Sequence, residues 1–134
     1  MFPFSTPMGR VWLAASLCLA LQACAPTIDT LPATELAQPV GPAKRAQLLA
    51  PAAIKLDTGY SRELAAKSTW LLIGRLPQGD VYRPIGTILT IEGRQVHEAY
   101  LVIRNNTLVG FYLPGEQNYS PLTTTVPLNL GELE

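Results

Sequence analysis

His97 is the only histidine among 134 residues. An imidazole titrates near neutral pH and can serve as a general base, so any acid–base chemistry in this chain would pass through it. Asp80 or Asp57 could orient its ring, and Ser61, Ser68 or Ser120 could supply a nucleophile, completing a Ser/His/Asp set on paper. The local patterns do not favour that set. There is no Gly-x-Ser-x-Gly elbow, and the serines lie in polar caps or turns. His97-Glu98-Ala99-Tyr100-Leu101 opens like a zinc-protease helix motif, but Leu101 stands where the second histidine belongs. The segment also reads as strand, where residues four apart do not meet as on a helix. Gly74, Gly79, Gly86 and Gly93 are too widely spread to cradle a phosphate. The expectation is therefore no cofactor, no metal site and no catalytic residue, with His97 a strand residue whose ring bonds a neighbour. A hydrolase working through His97 is kept as a lesser alternative.

Aromatic side chains are the other candidates. Trp70, Tyr82, Tyr100, Phe111, Tyr112 and Tyr119 all fall in or beside one β-like region. Strand alternation sends Phe111 and Tyr112 to opposite faces, so a one-layer sheet would expose one of them. Exposed aromatic rings can stack on a sugar or anchor a protein interface. Tyr82, Tyr100, Phe111, Tyr112 and Tyr119 are accordingly the expected contact residues for a ligand or partner. Asp80 and Arg83 would add polar contacts in a glycan-binding reading. Along Gln95 to Ile103, Val96, Tyr100 and Val102 share one face with Glu98. Ala99, Leu101 and Ile103 share the other with His97. Both faces are apolar toward the end of the run, so a helix or a partner must cover one of them.

The elements that would position these residues are mostly strands. Thr69 to Leu76, Val81 to Arg83, Thr87 to Ile91, Gln95 to Arg104, Thr107 to Leu113 and Thr123 to Leu130 have β-like runs or are bounded by turn signals. Asn105-Asn106 separates two of them and signals a two-residue hairpin, because both residues tolerate positive φ. Pro77 and Gly79 suit the corners of a type II turn. Pro127 lacks a ladder donor and suggests an edge strand. Asn105-Asn106-Thr107 and Asn118-Tyr119-Ser120 match the glycosylation acceptor pattern but read as turns. Ser61 could cap a short helix over Arg62 to Lys67, and Ala43 to Ala50 could form two helical turns. The expected class is α+β, mainly β: a small antiparallel sheet of four or five strands, one short helix, and a proline-rich tether before them.

The front of the chain carries a different signal. Arg10 precedes an apolar run from Val11 to Leu21 of about 11 residues, within the span of a signal-peptide core and short of the roughly 20 a membrane-spanning helix needs. Leu21-Gln22-Ala23-Cys24 closes it. This stretch resembles the lipobox of bacterial lipoprotein precursors, with Met1 or Met8 as the start. The resemblance covers the leader alone. It implies removal of residues 1–23, acylation of Cys24, and an address at the periplasmic face of the outer membrane. Residues 24–54, with Pro26, Pro32, Pro39, Pro42 and Pro51, then read as lipid anchor and tether, and residues 55–134 as the β-rich domain.

Composition agrees with a membrane address set by lipid rather than by charge. Ten Lys/Arg balance ten Asp/Glu, with no basic patch, so nucleic acid is not an expected partner. Cys18 would leave with the leader and Cys24 would carry lipid, so no thiol remains for a disulfide. The sequence thus points to a non-catalytic, lipid-anchored envelope protein. Its β domain would dock on a periplasmic or outer-membrane partner, in the layout of secretion, conjugation or envelope-assembly lipoproteins. A peptidoglycan- or glycan-binding module is the alternative.

Overall fold

The computed structural model describes residues 26–33 and 35–133. Twelve strands form, and no helix occurs among the described residues. They are β1 (Leu31–Pro32), β2 (Arg45–Leu48), β3 (Ala52–Lys55), β4 (Ser61–Leu64), β5 (Thr69–Leu76), β6 (Gly79–Pro84), β7 (Thr90–Glu92), β8 (Val96–Glu98), β9 (Tyr100–Arg104), β10 (Thr107–Leu113), β11 (Asn118–Pro127) and β12 (Leu130–Leu133). Eight make one sheet in the order β1-β11-β10-β9-β6-β5-β2-β12, while β3–β4 and β7–β8 are separate hairpins.

Only Leu128 and Asn129 separate β11 from β12, yet β11 pairs with β10 and β12 pairs with β2 at the far side of the order. Leu128 N–H donates to Asn106 O at 2.8 Å, and Leu49 N–H donates to Asn129 O at 2.7 Å. Five strands lie between β11 and β12 in that order, more than two residues can cross, so the sheet curls round into an open barrel whose two sides meet at this link. A bulge helps it curl. Leu122 to Thr125 all stand opposite Val109 alone, between the pairs Gly110↔Pro121 and Leu108↔Val126.

The barrel overturns the α+β expectation, and each helix replaced has a physical reason. Ser61–Leu64 pairs antiparallel with Ala52–Lys55. Asp57-Thr58-Gly59 is the turn of that hairpin, with Gly59 at φ 97°, rather than the approach to a helix cap. Arg45–Leu48 lies between β5 and β12 and buries Ala46 and Leu48 with period two. Both segments are shorter than a helix needs to repay its nucleation, whereas a waiting strand supplies a ladder bond at once. The residues read as tether therefore reach into the barrel from Arg45 onward, and the strand count exceeds the four or five expected.

Other boundaries shift in informative ways. Gln95 to Arg104 splits at Ala99: β8 pairs with β7, and β9 pairs with β6 and β10. Tyr119, expected in a loop, sits in β11. The Asn105–Asn106 hairpin is present, with φ of 52° and 58°, the signature of a type I′ turn. Pro77 and Gln78 turn without positive φ. Gly79 serves a close approach instead, since a Cβ there would lie 2.6 Å from Ile103 O.

Alternating side chains build two apolar layers. Inside lie Ala46, Leu48, Trp70, Tyr82, Leu101, Ile103, Leu108, Phe111 and Leu113, with Ile54, Leu56, Leu64 and Ile91 added by the two hairpins. Trp70 donates its indole N–H to Ser68 Oγ at 3.0 Å, so its buried donor is satisfied. Outside, Leu76, Val81, Val102, Tyr112 and Tyr119 form a second layer. The N-terminal arm covers it with Ala33 and Leu36. That cover answers the two-faced apolar strand: it comes from the arm, not from a helix.

Candidate functional site

The arm root meets the barrel at a cleft of about 290 Å³. Four pieces of chain form its walls: residues 26–29 of the arm, Leu56–Thr58 at the β3–β4 turn, Ile91 and Glu92 on β7, and Phe111 with Ser120–Leu122 on β10 and β11. Leu56, Ile91, Phe111 and Leu122 also belong to the inner core, so the floor is apolar. Carboxylates of Asp29, Asp57 and Glu92 supply charge around it.

These walls hold one another in place. Asp57 accepts from Thr123 N–H at 3.1 Å and from Thr123 Oγ1 at 2.9 Å, tying the turn to the bulge of β11. Thr58 Oγ1 donates to Glu92 O at 2.6 Å. Arg62 donates through Nε to Thr90 O at 2.9 Å and forms an ion pair with Glu92. The pair locks the two hairpins together and neutralises the Glu92 carboxylate. Asp57 and Asp29 line the cleft as well. The arm root crosses closely over the β7–β8 tip, where a Cβ on Gly93 would come within 2.9 Å of both Ile28 Cγ1 and Pro26 O.

The residues expected to carry chemistry are not gathered here. His97 Nδ1 lies 2.8 Å from Glu116 Oε1 in a separate groove with Arg94, Gln95 and Asn118. Asp80 instead accepts from Arg75 Nε at 2.8 Å, and Asp57 is held by Thr123. The structure thus gives His97 a different carboxylate from either one proposed for it. Among the described residues no group of three or more His, Cys, Asp or Glu side chains is placed to hold a metal ion. Cys24 lies outside the described residues.

The residues of the aromatic contact set are mostly buried. Tyr82, Phe111, Tyr112 and Tyr119 are 6%, 1%, 7% and 4% exposed, so none offers a free ring face. Tyr82 and Phe111 point inward. Tyr112 and Tyr119 lie in the outer layer under the arm, with Tyr100 half-buried beside them. Tyr100 and Tyr112 rings sit 6.2 Å apart and tilted, and Tyr119 donates to Val109 O at 3.1 Å. Burial pushes the hydroxyls of Tyr82, Tyr100 and Tyr119 above the ordinary phenol range. These rings are packed because the sheet has two covered faces.

Sequence reasoning did not gather the cleft residues Leu56, Thr58, Ile91, Glu92 and Ser120. Asp57-Thr58-Gly59 was a visible turn signal, but its partner at Thr123 lies 66 positions away, and only the fold brings them together. Among the described residues no helix is long and apolar enough to cross a membrane. Compared with protein-family models, with curated proteins and with solved structures, the chain matches none.

Proposed function

We propose that this chain is a non-catalytic, lipid-anchored envelope protein whose barrel docks a protein partner at the arm-root cleft. The observation that carries the reading is the position of Pro26. It forms part of the cleft wall and stands two residues from Cys24. Two residues span at most about 7 Å, so a lipid on Cys24 would hold the cleft mouth close to the membrane surface. The lipobox-like leader supplies the anchor, and the outer membrane's periplasmic face is the address that follows from it. An apolar floor beside the charges of Asp29 and Asp57 suits a partner side chain pair of one apolar and one basic residue.

Site-specific photo-crosslinking in intact cells tests this. A crosslinker at Thr58, in the cleft, should give a discrete adduct with one envelope protein. A crosslinker at Arg104, at the exposed hairpin end, should not. Asp29→Lys should weaken the Thr58 adduct at least several-fold. Equal adducts from both positions, or none from Thr58, would remove the docking idea.

A further inference from the structure

We infer that the segment from Leu31 to Ala37 is a releasable strap, and that the groove beneath it is a docking groove for an extended peptide segment of a partner protein. The site is separate from the arm-root cleft, and the inference does not rest on lipid anchoring.

The strap contributes nothing to barrel closure. The strands β11-β10-β9-β6-β5-β2-β12 pair in series without β1, and the Leu128–Asn129 link joins their two ends. The strap instead crosses the outside of five strands. It begins at β11, where Leu31 pairs with Tyr119 and Pro32 with Asn118, and Ala33 N–H donates to Gln117 O at 3.0 Å. It ends on β5, where Ala37 and Arg75 exchange two backbone bonds of 3.0 and 2.8 Å. Between those ties Ala33 and Leu36 pack onto Leu76, Val81, Val102, Tyr112 and Tyr119.

The groove has a shaped socket. A Cβ on Gly74 would lie 2.3 Å from Leu36 Cγ and 2.9 Å from Ala37 O. Gly74 is therefore bare because a leucine and its following backbone sit on it. Beyond Ala37 the chain is not held by the sheet until Lys44 O accepts from Leu72 N–H at 2.9 Å. Residues 38–44 are all exposed, and none of residues 38–43 makes a backbone hydrogen bond among the described residues. Pro39 and Pro42 deny two donors there in any case. A segment whose backbone bonds, among the described residues, lie only at its two ends, beside a link without ladder bonds, belongs to the parts of a protein that open locally while the rest stays folded.

Opening the strap bares an apolar face that includes Val81, Val102, Tyr112 and Tyr119, a surface of the kind that marks protein recognition. Its present occupant shows what fits: an extended chain with a small residue, a leucine three positions later, and free backbone groups at each end. A partner segment of that pattern would add to β11 and β5 through main-chain bonds and fill the Gly74 socket with its leucine.

The test uses the detergent-solubilised full chain with Cys18→Ser and Cys24→Ser, and a labelled synthetic peptide of residues 27–38 as the probe. Three forms are compared by fluorescence anisotropy. The parent chain keeps its strap, which competes from an effective concentration in the millimolar range. Leu36→Asp drives the strap out of its socket. Ala37→Cys with Arg75→Cys, directly opposed across their two backbone bonds and so about 5.5 Å apart at Cα, locks it down when oxidised. Peptide should bind the Leu36→Asp chain at least 10-fold more tightly than the parent. It should fail to bind the oxidised double variant, and binding should recover to the parent level or above on reduction. Fluorescence of the buried Trp70 reports whether each barrel is intact, and Leu36→Ala replaces Leu36→Asp if that form is unfolded. Equal binding to all forms, or no binding to a folded form with its strap released, would overturn the inference.

Discussion

Replacing Gly110 by alanine tests the packing of the barrel where neighbouring backbone comes closest to a glycine. An added Cβ would lie 2.5 Å from Ser120 O, 2.6 Å from Tyr119 Oη and 2.8 Å from Tyr119 Cε1. The first of these neighbours is backbone of the adjacent strand, so it cannot rotate away. Ordinary contact requires β10 and β11 to separate by about 1 Å, and overpacking of that kind costs about 1–3 kcal/mol. Tyr119 would also be pushed from its bond to Val109 O, adding about 1 kcal/mol. Alanine restrains the unfolded chain and returns about 0.4–1 kcal/mol. The net loss is about 2–3 kcal/mol, or roughly 10–20 °C in Tm for a domain near 100 residues. Gly115 is the matched control. Nothing lies within 4 Å of its would-be Cβ, and its φ is not positive. Gly115→Ala should therefore be neutral or stabilising by up to about 1 kcal/mol. Urea and thermal unfolding of the two variants against the parent measure the difference. If Gly110→Ala fell within about 0.5 kcal/mol of Gly115→Ala, the β10–β11 register described here would be refuted.

Three further outcomes follow from the same packing. At the type I′ turn, Asn106→Gly should be neutral to slightly stabilising, whereas Asn106→Val should cost about 1–2 kcal/mol because a β-branched residue resists positive φ; urea midpoints of the two variants decide it. Arg62→Ala leaves Glu92, whose side chain is only 20% exposed, without its cation and Thr90 O without its donor. A loss of about 2 kcal/mol is expected, partly restored by adding Glu92→Gln, as a double-mutant cycle would show. Buried Tyr82 and Tyr119 and half-buried Tyr100 hold their protons more tightly in the folded state than in the unfolded one. Their contribution is fully present below the ordinary phenol value of about 10 and is lost as pH rises through the higher folded values. The urea midpoint should thus fall above about pH 10, less steeply in Tyr82→Phe; a midpoint flat to pH 11 would contradict this.

Local signals in the sequence identified local structure. Asn105-Asn106 located its hairpin because turn chemistry is decided by two residues. The face assignment along Tyr100 to Ile103 followed from alternation alone, with Leu101 and Ile103 inside and Val102 outside. What stayed hidden depends on distant neighbours. Ser61-Arg62-Glu63-Leu64 carries a helix-cap pattern, and only the antiparallel partner at Ala52–Lys55 makes it strand. Phe111 and Tyr112 looked like one buried and one exposed ring, because no periodicity reveals that Leu36 and Ala33 return to cover the outer face. The prolines of the arm suggested a spacer. They do interrupt residues 38–44, but Pro32 tolerates a strand edge, so the arm can lie flat against β11. The cleft was invisible for the same reason: Pro26, Asp57, Glu92 and Ser120 come together only after the barrel closes.

The central functional claim is that Cys24 carries the chain into a membrane, and intact-mass spectrometry of the protein purified from its native envelope tests it most directly. The account predicts a mature chain beginning at Cys24, with mass added by a thioether-linked diglyceride and an amide-linked acyl chain. A chain that retains residues before Cys24, or begins there with an unmodified thiol, would contradict it.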